Sequence, residues 1–62
     1  MRILLLQDED QVAHFVSLGL RAEQFVVDSA KDGIAGYYMA ALQSYDLLIV
    51  DLALPRLGGK DR

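Results

Sequence analysis

The chain alternates between short, continuous apolar runs and longer segments in which apolar residues recur at helical intervals. Three runs have the length and composition of strands that are covered on both faces: residues 3–6, 25–27 and 47–50. The segments between them are typical of helices: residues 11–23 and 34–43. Strands that alternate with helices through short connections favour a parallel sheet with right-handed crossovers. The pattern therefore predicts an α/β protein of order β-α-β-α-β.

Each predicted helix has a face that is expected to pack on the sheet. In the first helix this face contains the apolar stripe of Val12, Val16 and Leu20, with Phe15 and Gly19 beside it. In the second helix the residues available to pack inward are Tyr37, Ala40 and Ala41. Asp8 or Asp10 can cap the first helix, because a carboxylate accepts hydrogen bonds from free amides and faces the positive end of the helix dipole. Gly36 lies inside the second helix, at a cost of roughly 1 kcal/mol relative to alanine.

The size of the chain limits the core that it can form. At 62 residues it is at most one small domain, and a core of this size barely offsets the conformational entropy that folding removes. Hydrophobic residues nevertheless make up 53% of the chain, more than so small a globule usually buries. Neither a disulfide nor a thiolate metal site can add stability, because the sequence contains no cysteine. We therefore expect the chain to associate with another molecule or to form part of a larger domain.

The charge balance argues against a nucleic-acid surface on this chain. The formal net charge is −3, whereas phosphate contacts require clustered Lys and Arg. The local basic residues are more typical of a solvated tail: Arg56, Lys60 and Arg62. The apolar run near the N-terminus is too short for a signal peptide or a membrane span. These features indicate a cytoplasmic protein that does not enter a membrane.

Acidic residues follow two of the predicted strands at the point where each strand ends. Gln7, Asp8 and Glu9 follow the first strand, and Asp51 follows the third. Because the carboxyl ends of parallel strands meet at one edge of a sheet, Asp8 and Asp51 share a site if these two strands are neighbours. Converging carboxylates repel each other without a cation, and Mg²⁺ takes oxygen ligands while keeping several waters. The spacing is equally compatible with an alternative in which Asp8 is only a helix cap and Asp51 only a turn residue.

Three stretches of the chain resemble the first half of a bacterial two-component response-regulator receiver domain. They are MRILLLQDED, VVDSAKDG and YDLLIVDLALPRLGG, in which the acids, the Leu54-Pro55 pair and Gly59 fall in register with the family pattern. The resemblance covers essentially the whole chain, and the branch that it resembles is that of the winged-helix OmpR/PhoB-type transcriptional regulators. It implies a flavodoxin-like, doubly wound parallel sheet with strand order 2-1-3. Residues 1–62 would then form a truncated receiver domain.

The resemblance also implies roles for individual residues. Asp51 falls on the phosphoacceptor, which takes a phosphoryl group from a sensor histidine kinase and forms an acyl phosphate. Asp8 falls on the acid that binds Mg²⁺ directly, and Ala53 on the position whose backbone carbonyl completes the protein ligands. The implied output is control of transcription, with DNA bound only through a C-terminal domain that is absent from these residues.

The chain departs from the family pattern at several positions. Gln7 stands where the family usually has Glu or Asp. Its amide oxygen can still hold a metal-bound water, but the affinity for Mg²⁺ should fall. Gln24 replaces a glycine that is often found before the second strand. This replacement is expected to remove a favourable left-handed stop of the first helix. The Ser/Thr and Lys that contact the phosphoryl group in the family follow its fourth and fifth strands, and this chain offers three strands.

Two functions remain open from the sequence. In the first, the chain is a working phosphoacceptor. In the second, Gln7 and the missing strands leave it unphosphorylated, and it acts as a self-association or protein-interaction module. The third strand would be an unpaired edge, so we expect a homodimer that joins or exchanges these elements. A stand-alone enzyme is not expected, because haloacid-dehalogenase-type phosphatases need a second aspartate two residues after the nucleophile, where this chain has Ala53.

Overall fold

The computed structural model describes residues 1–51, which form a three-stranded parallel sheet packed by two helices. The elements in chain order are β1 (Arg2–Leu6), α1 (Asp10–Ala22), β2 (Val26–Ala30), α2 (Gly33–Leu42) and β3 (Leu47–Val50). β1 pairs in parallel with both other strands, so the strand order is β2-β1-β3. The predicted α/β class, the order β-α-β-α-β and the strand order 2-1-3 are confirmed.

β1 is the central strand and contains the most buried side chains of the described residues. Ile3, Leu4 and Leu5 are 1%, 2% and 0% exposed. Consecutive side chains of a strand point to opposite faces, so a central strand that is covered on both faces is apolar at every position. This explains why the first strand is a continuous apolar run without polar alternation.

α1 packs on one face of the sheet through two members of the predicted apolar stripe, Val16 and Leu20, and through the small residues Ala13 and Ser17. The core contacts on this face join Ala13, Val16 and Leu20 of the helix to Leu5 and Val27 of the strands. Phe15 does not take part, because it is 77% exposed, and Gly19 is exposed as well. Each of these two residues is next in sequence to a member of the stripe, and neighbouring residues lie about 100° apart around a helix. The expectation that Phe15 and Gly19 extend the packed face is therefore wrong.

The two helices begin in different ways. Glu9 is the N-cap residue of α1, and its side chain makes no capping hydrogen bond. Asp10 lies in the first turn, so it is not the N-cap, although its carboxylate still faces the positive end of the helix dipole. α2 has a side-chain cap, in which Asp32 Oδ1 accepts a hydrogen bond from Ala35 N at 2.8 Å. The N-cap side chain therefore stabilises the start of α2 but not that of α1.

α2 packs on the other face of the sheet at a glycine. Gly36 is buried, and a β-carbon at this position would lie 2.9 Å from Leu6 Cδ1. Met39, one turn later, is half-buried. The residues predicted to pack inward are exposed instead: Tyr37, Ala40 and Ala41. That prediction is wrong, because the close approach at Gly36 determines which side of the helix faces the sheet.

β3 pairs with β1 on one side, and within residues 1–51 no strand pairs with its other side. Its apolar side chains are only partly covered, since Leu47, Leu48 and Val50 are 46%, 55% and 59% exposed.

Within residues 1–51, no helix has the length and apolar character of a membrane span.

The turn between α1 and β2 passes through a left-handed residue. Gln24 has a φ of 70°, and its N–H donates a hydrogen bond to Arg21 O at 2.8 Å. A residue with a β-carbon is disfavoured in this region, whereas glycine is not. The expectation that glutamine removes the left-handed stop is therefore wrong, because Gln24 itself adopts the conformation that is usual for glycine.

Replacing Gln24 with glycine is expected to stabilise the protein by about 1 kcal/mol, because glycine adopts positive φ without strain. The greater freedom of glycine in the unfolded chain offsets part of this gain. Urea denaturation followed by circular dichroism measures the difference in the free energy of unfolding. Gln43→Gly is the matched control, since Gln43 has an extended φ of −142° and gains nothing from glycine. Equal changes in the two variants would contradict the role of the left-handed conformation.

Candidate functional site

The carboxyl ends of β1 and β3 lie side by side at one edge of the sheet. Leu6 is opposite Val50 in the parallel register, and Asp51 N donates a hydrogen bond to Leu6 O at 2.8 Å. Asp51 is the first residue beyond β3 and is exposed. Gln7 and Asp8 follow β1 directly. The chain positions of these three residues are therefore at the same edge, and the predicted adjacency of the first and third strands is confirmed.

Gln7 is built into the fold at this edge. Its side chain is buried, with 4% of the residue exposed. Its backbone N–H donates to Ala30 O at 3.0 Å, and its side-chain Oε1 accepts a hydrogen bond from Glu9 N at 2.9 Å. Glu9 O in turn accepts from Ala13 N at 2.9 Å, which is the first hydrogen bond of α1. Gln7 thus connects the ends of β1 and β2 to the start of the helix.

The donor groups at this edge are hard oxygens. Asp8 and Asp51 are both exposed, in contrast to Gln7. Two carboxylates at one edge favour a cation, and Mg²⁺ suits them because it takes oxygen ligands and keeps several waters. Within residues 1–51 no group of three or more His, Cys, Asp or Glu side chains is able to hold a metal ion. Asp8 and Asp51 supply the type of oxygen ligand that a hydrated Mg²⁺ accepts, and their joint binding of the cation stays a prediction.

Part of the predicted site lies outside the described residues. This is the case for Ala53, whose carbonyl was predicted as a ligand, and for the loop residues Leu54, Pro55 and Gly59. Their roles stay predictions, as do those of Asp8, Asp51 and Gln7.

The opposite end of the sheet contains a polar cluster that the sequence did not reveal. Arg2 Nη2 lies 3.2 Å from Asp28 Oδ2, and Tyr45 OH donates to the same oxygen at 2.7 Å. The Arg2 guanidinium also lies over the Tyr45 ring, 5.9 Å from its centroid. Asp46 Oδ2 accepts from Arg2 N at 2.7 Å, while Asp46 N donates to Arg2 O at 2.8 Å. This Arg2 cluster (Arg2, Asp28, Tyr45 and Asp46) joins β1 to β2 and to the segment before β3.

The Arg2 cluster changes the chemistry of its tyrosine. The hydrogen bond from the phenol to Asp28 raises the pKa of Tyr45 above its usual 10.0, and desolvation and the charge of Asp28 act in the same direction. Arg2 opposes this effect. Asp28 belongs to β2, which extends through Ala30, whereas the sequence predicted that the strand ends at residue 27. A polar residue in the sequence was therefore interpreted as the start of a loop, although Arg2 of β1 and Tyr45 before β3 compensate its carboxylate.

A cavity of about 390 Å³ lies between the end of α2 and the start of β3. Its walls include Leu4, Ala40, Tyr45 and Leu48. It is at the Arg2 end of β3 and not at the end that carries Asp51.

The chain matches curated response regulators along nearly its whole length. It is 41% identical over 61 residues to the probable transcriptional regulatory protein SilR of Salmonella typhimurium, a match that covers 98% of this chain and 27% of that protein. It is 39% identical over 61 residues to the transcriptional regulatory protein CusR of Escherichia coli K12, with coverage of 98% and 27%. It is 44% identical over 57 residues to the response regulator ArlR of Staphylococcus epidermidis, with coverage of 92% and 26%. The chain therefore spans about a quarter of the length of the curated relatives that it matches.

No protein-family model matches the chain, and no solved structure matches it. The assignment rests on the relatives together with the fold. The order β-α-β-α-β and the sheet order β2-β1-β3 match the first half of a flavodoxin-like receiver. The chain belongs to the response-regulator family and corresponds to the first half of a receiver domain that resembles those of OmpR/PhoB-type transcriptional regulators.

Proposed function

We propose that the chain is a receiver module that accepts a phosphoryl group on Asp51 from a sensor histidine kinase, with the assistance of Mg²⁺. The main support is the position of Asp51, which is the exposed first residue beyond β3 at the edge where β1 also ends. Two of the relatives are named transcriptional regulatory proteins, which supports a transcriptional output. In the whole protein this output would pass through a C-terminal DNA-binding domain.

The proposed reaction forms one bond and breaks another. A carboxylate oxygen of Asp51 attacks the phosphorus of a phosphohistidine, and the new P–O bond gives an acyl phosphate. The P–N bond breaks with its electron pair on the imidazole nitrogen, which takes a proton from solvent. The hydrogen bond from Asp51 N to Leu6 O holds the backbone that carries the attacking carboxylate. Bound Mg²⁺ would be held by Asp8 and Asp51 and would offset the negative charge that gathers around the phosphoryl group.

Incubation with acetyl phosphate and Mg²⁺ tests this function directly. The protein is expected to gain the mass of one phosphoryl group, and hydroxylamine should remove that group because acyl phosphates react with it. Asp51→Asn should abolish the mass gain, since the amide is not a nucleophile. Asp10→Asn is the matched control, because this acid is exposed and lies in the first turn of α1, and it should be labelled like the wild type. Labelling that survives in Asp51→Asn would rule out Asp51 as the acceptor.

A second function is supported by the exposed edge of β3. The outer side of this strand is unpaired within residues 1–51, and apolar side chains are exposed on both of its faces. In this alternative the chain is not phosphorylated and acts by pairing with itself or with another protein, most simply as a homodimer joined at an edge. In both proposals the protein is cytoplasmic, and neither proposal requires that the chain act as an enzyme by itself.

Solution mass and amide NMR resonances together separate the two functions. Light scattering at micromolar concentration should report a dimer whose mass does not respond to Mg²⁺ and beryllofluoride if the chain is only an association module. A working phosphoacceptor should respond to beryllofluoride with shifts of the amide resonances around Asp51. A monomer whose resonances do not move would contradict both functions.

A further inference from the structure

We propose that Gln7 pre-forms the turn that carries Asp8 without a cation, and that its neutral amide weakens the binding of divalent cations at this edge. The proposal, which rests on the proposed function, assigns a positioning role to a residue that departs from the family pattern. It implies a site whose shape depends little on Mg²⁺.

The hydrogen bonds of Gln7 support the positioning role. The bond from Glu9 N to Gln7 Oε1, at 2.9 Å, spans Asp8. The backbone bond from Gln7 N to Ala30 O holds the residue against the end of β2. Glu9, the N-cap residue of α1, contributes no side-chain cap of its own. Gln7 therefore holds the turn between β1 and α1 at one end through its backbone, which bonds to β2, and at the other through its side chain, which bonds to Glu9.

The burial of Gln7 supports the effect on the cation. Only 4% of the residue is exposed. A neutral amide that makes its hydrogen bond is tolerated in this environment, whereas a buried carboxylate costs free energy unless a cation or a strong donor compensates it. With Asp8 and Asp51 at the same edge, a third negative charge would add repulsion in the absence of a cation and attraction in its presence. A neutral residue removes both effects.

Two variants of the full chain test the proposal. Gln7→Glu keeps the side-chain length and an oxygen acceptor but adds a charge, and Gln7→Met keeps the length but removes the acceptor. In Gln7→Glu the affinity for MgCl₂, measured by calorimetric titration, should rise about tenfold, which corresponds to about 1.4 kcal/mol. Its melting temperature without Mg²⁺ should fall below that of the wild type and should recover when Mg²⁺ is added. Gln43→Glu places the same charge on an exposed residue at the end of α2 and should change neither quantity.

Amide hydrogen exchange at Glu9 tests the turn itself and does not require a bound cation. In Mg²⁺-free buffer the Glu9 N–H of the wild type should be protected, and in Gln7→Met its exchange should be at least about tenfold faster, since the acceptor is lost. Wild-type protection that changes less than twofold when Mg²⁺ is added supports the pre-formed turn. Protection that appears only with Mg²⁺ would overturn the proposal, as would equal Mg²⁺ affinities of the wild type and Gln7→Glu.

Failure of this proposal and failure of the proposed function give different results. If Gln7→Glu gains no affinity while Asp51 is still phosphorylated, only the role of Gln7 is wrong. If neither protein is phosphorylated and neither binds Mg²⁺, the phosphoacceptor function is wrong, and the cation effect of Gln7 is wrong with it.

Discussion

Leu5→Ala is expected to leave most of the protein unfolded at room temperature. Leu5 is the most buried large side chain of β1, with 0% exposed, and it contacts both α1 and β2 through Ala13 and Val27. Truncating a fully buried leucine to alanine costs about 3 kcal/mol or more, because the lost transfer free energy adds to that of the cavity left behind. A single core in a chain of this length rarely supplies more than about 3–5 kcal/mol. The substitution therefore removes most or all of the stability.

Far-UV circular dichroism and urea denaturation measure this effect. Leu42→Ala is the matched control, because Leu42 is 87% exposed at the end of α2, and its change in the free energy of unfolding should stay within about 0.5 kcal/mol. If both variants unfold at the same urea concentration, β1 is not the centre of the core.

The fold was readable from the sequence because its central strand is covered on both faces. Residues 3–6 form an unbroken apolar run for this reason, and the two helices separate that run from the other strands. The strand order came from the resemblance to receivers, since alternation of strands and helices alone does not say which strand is in the middle. The observed pairing of β1 with both neighbours agrees with that order.

The faces of the helices were harder to predict because small residues determine them. α1 faces the sheet with Ala13 and Ser17, which carry a weak hydrophobic signal, while Phe15 with a strong signal is exposed. α2 faces the sheet with Gly36, for which the sequence predicted only a loss of helix stability relative to alanine. Hydrophobicity scales reward large side chains, whereas the closest approach between a helix and a sheet occurs where side chains are small. The prediction for Tyr37 failed for this reason.

The chain positions of the candidate site were predictable, but the hydrogen bonds around it were not. Asp51 was found from the end of an apolar strand, which is a local feature of the sequence. The bond between Gln7 and Glu9 depends on the turn geometry, which the residue types do not determine. In the Arg2 cluster, Arg2 is separated from Asp28 by 26 positions and from Asp46 by 44 positions along the chain. No local sequence pattern indicates pairs that are so far apart. Topology alone brings them together.

Asp28→Ala is expected to destabilise the protein by about 1–2 kcal/mol. The carboxylate accepts hydrogen bonds from Arg2 and Tyr45, and bonds to charged groups are worth more than neutral ones. The Arg2 and Asp28 side chains are 36% and 30% exposed, so solvent screening lowers this value below that of a fully buried pair. Asp10→Ala is the matched control, because the Asp10 side chain is 82% exposed and its ion pair with Lys31 is 3.8 Å long. It should cost less than about 0.5 kcal/mol in the same urea denaturation.

The same cluster predicts how stability depends on alkaline pH. The hydrogen bond to Asp28 raises the pKa of Tyr45 above the 10.0 that the phenol has when it is unperturbed, so the folded state holds this proton more tightly than the unfolded state does. The contribution of Tyr45 to the free energy of unfolding is therefore complete below pH 10.0 and is lost as the pH rises through the higher pKa of the folded state. Tyr45→Phe should remove this part of the alkaline fall, whereas Tyr37→Phe should retain it, because Tyr37 is 71% exposed and its ring contact is with Tyr38. Urea denaturation at a series of pH values from neutral to above 10 gives both slopes. If the fall is as steep in Tyr45→Phe as in the wild type, the bond between Tyr45 and Asp28 does not contribute to the stability of the folded protein.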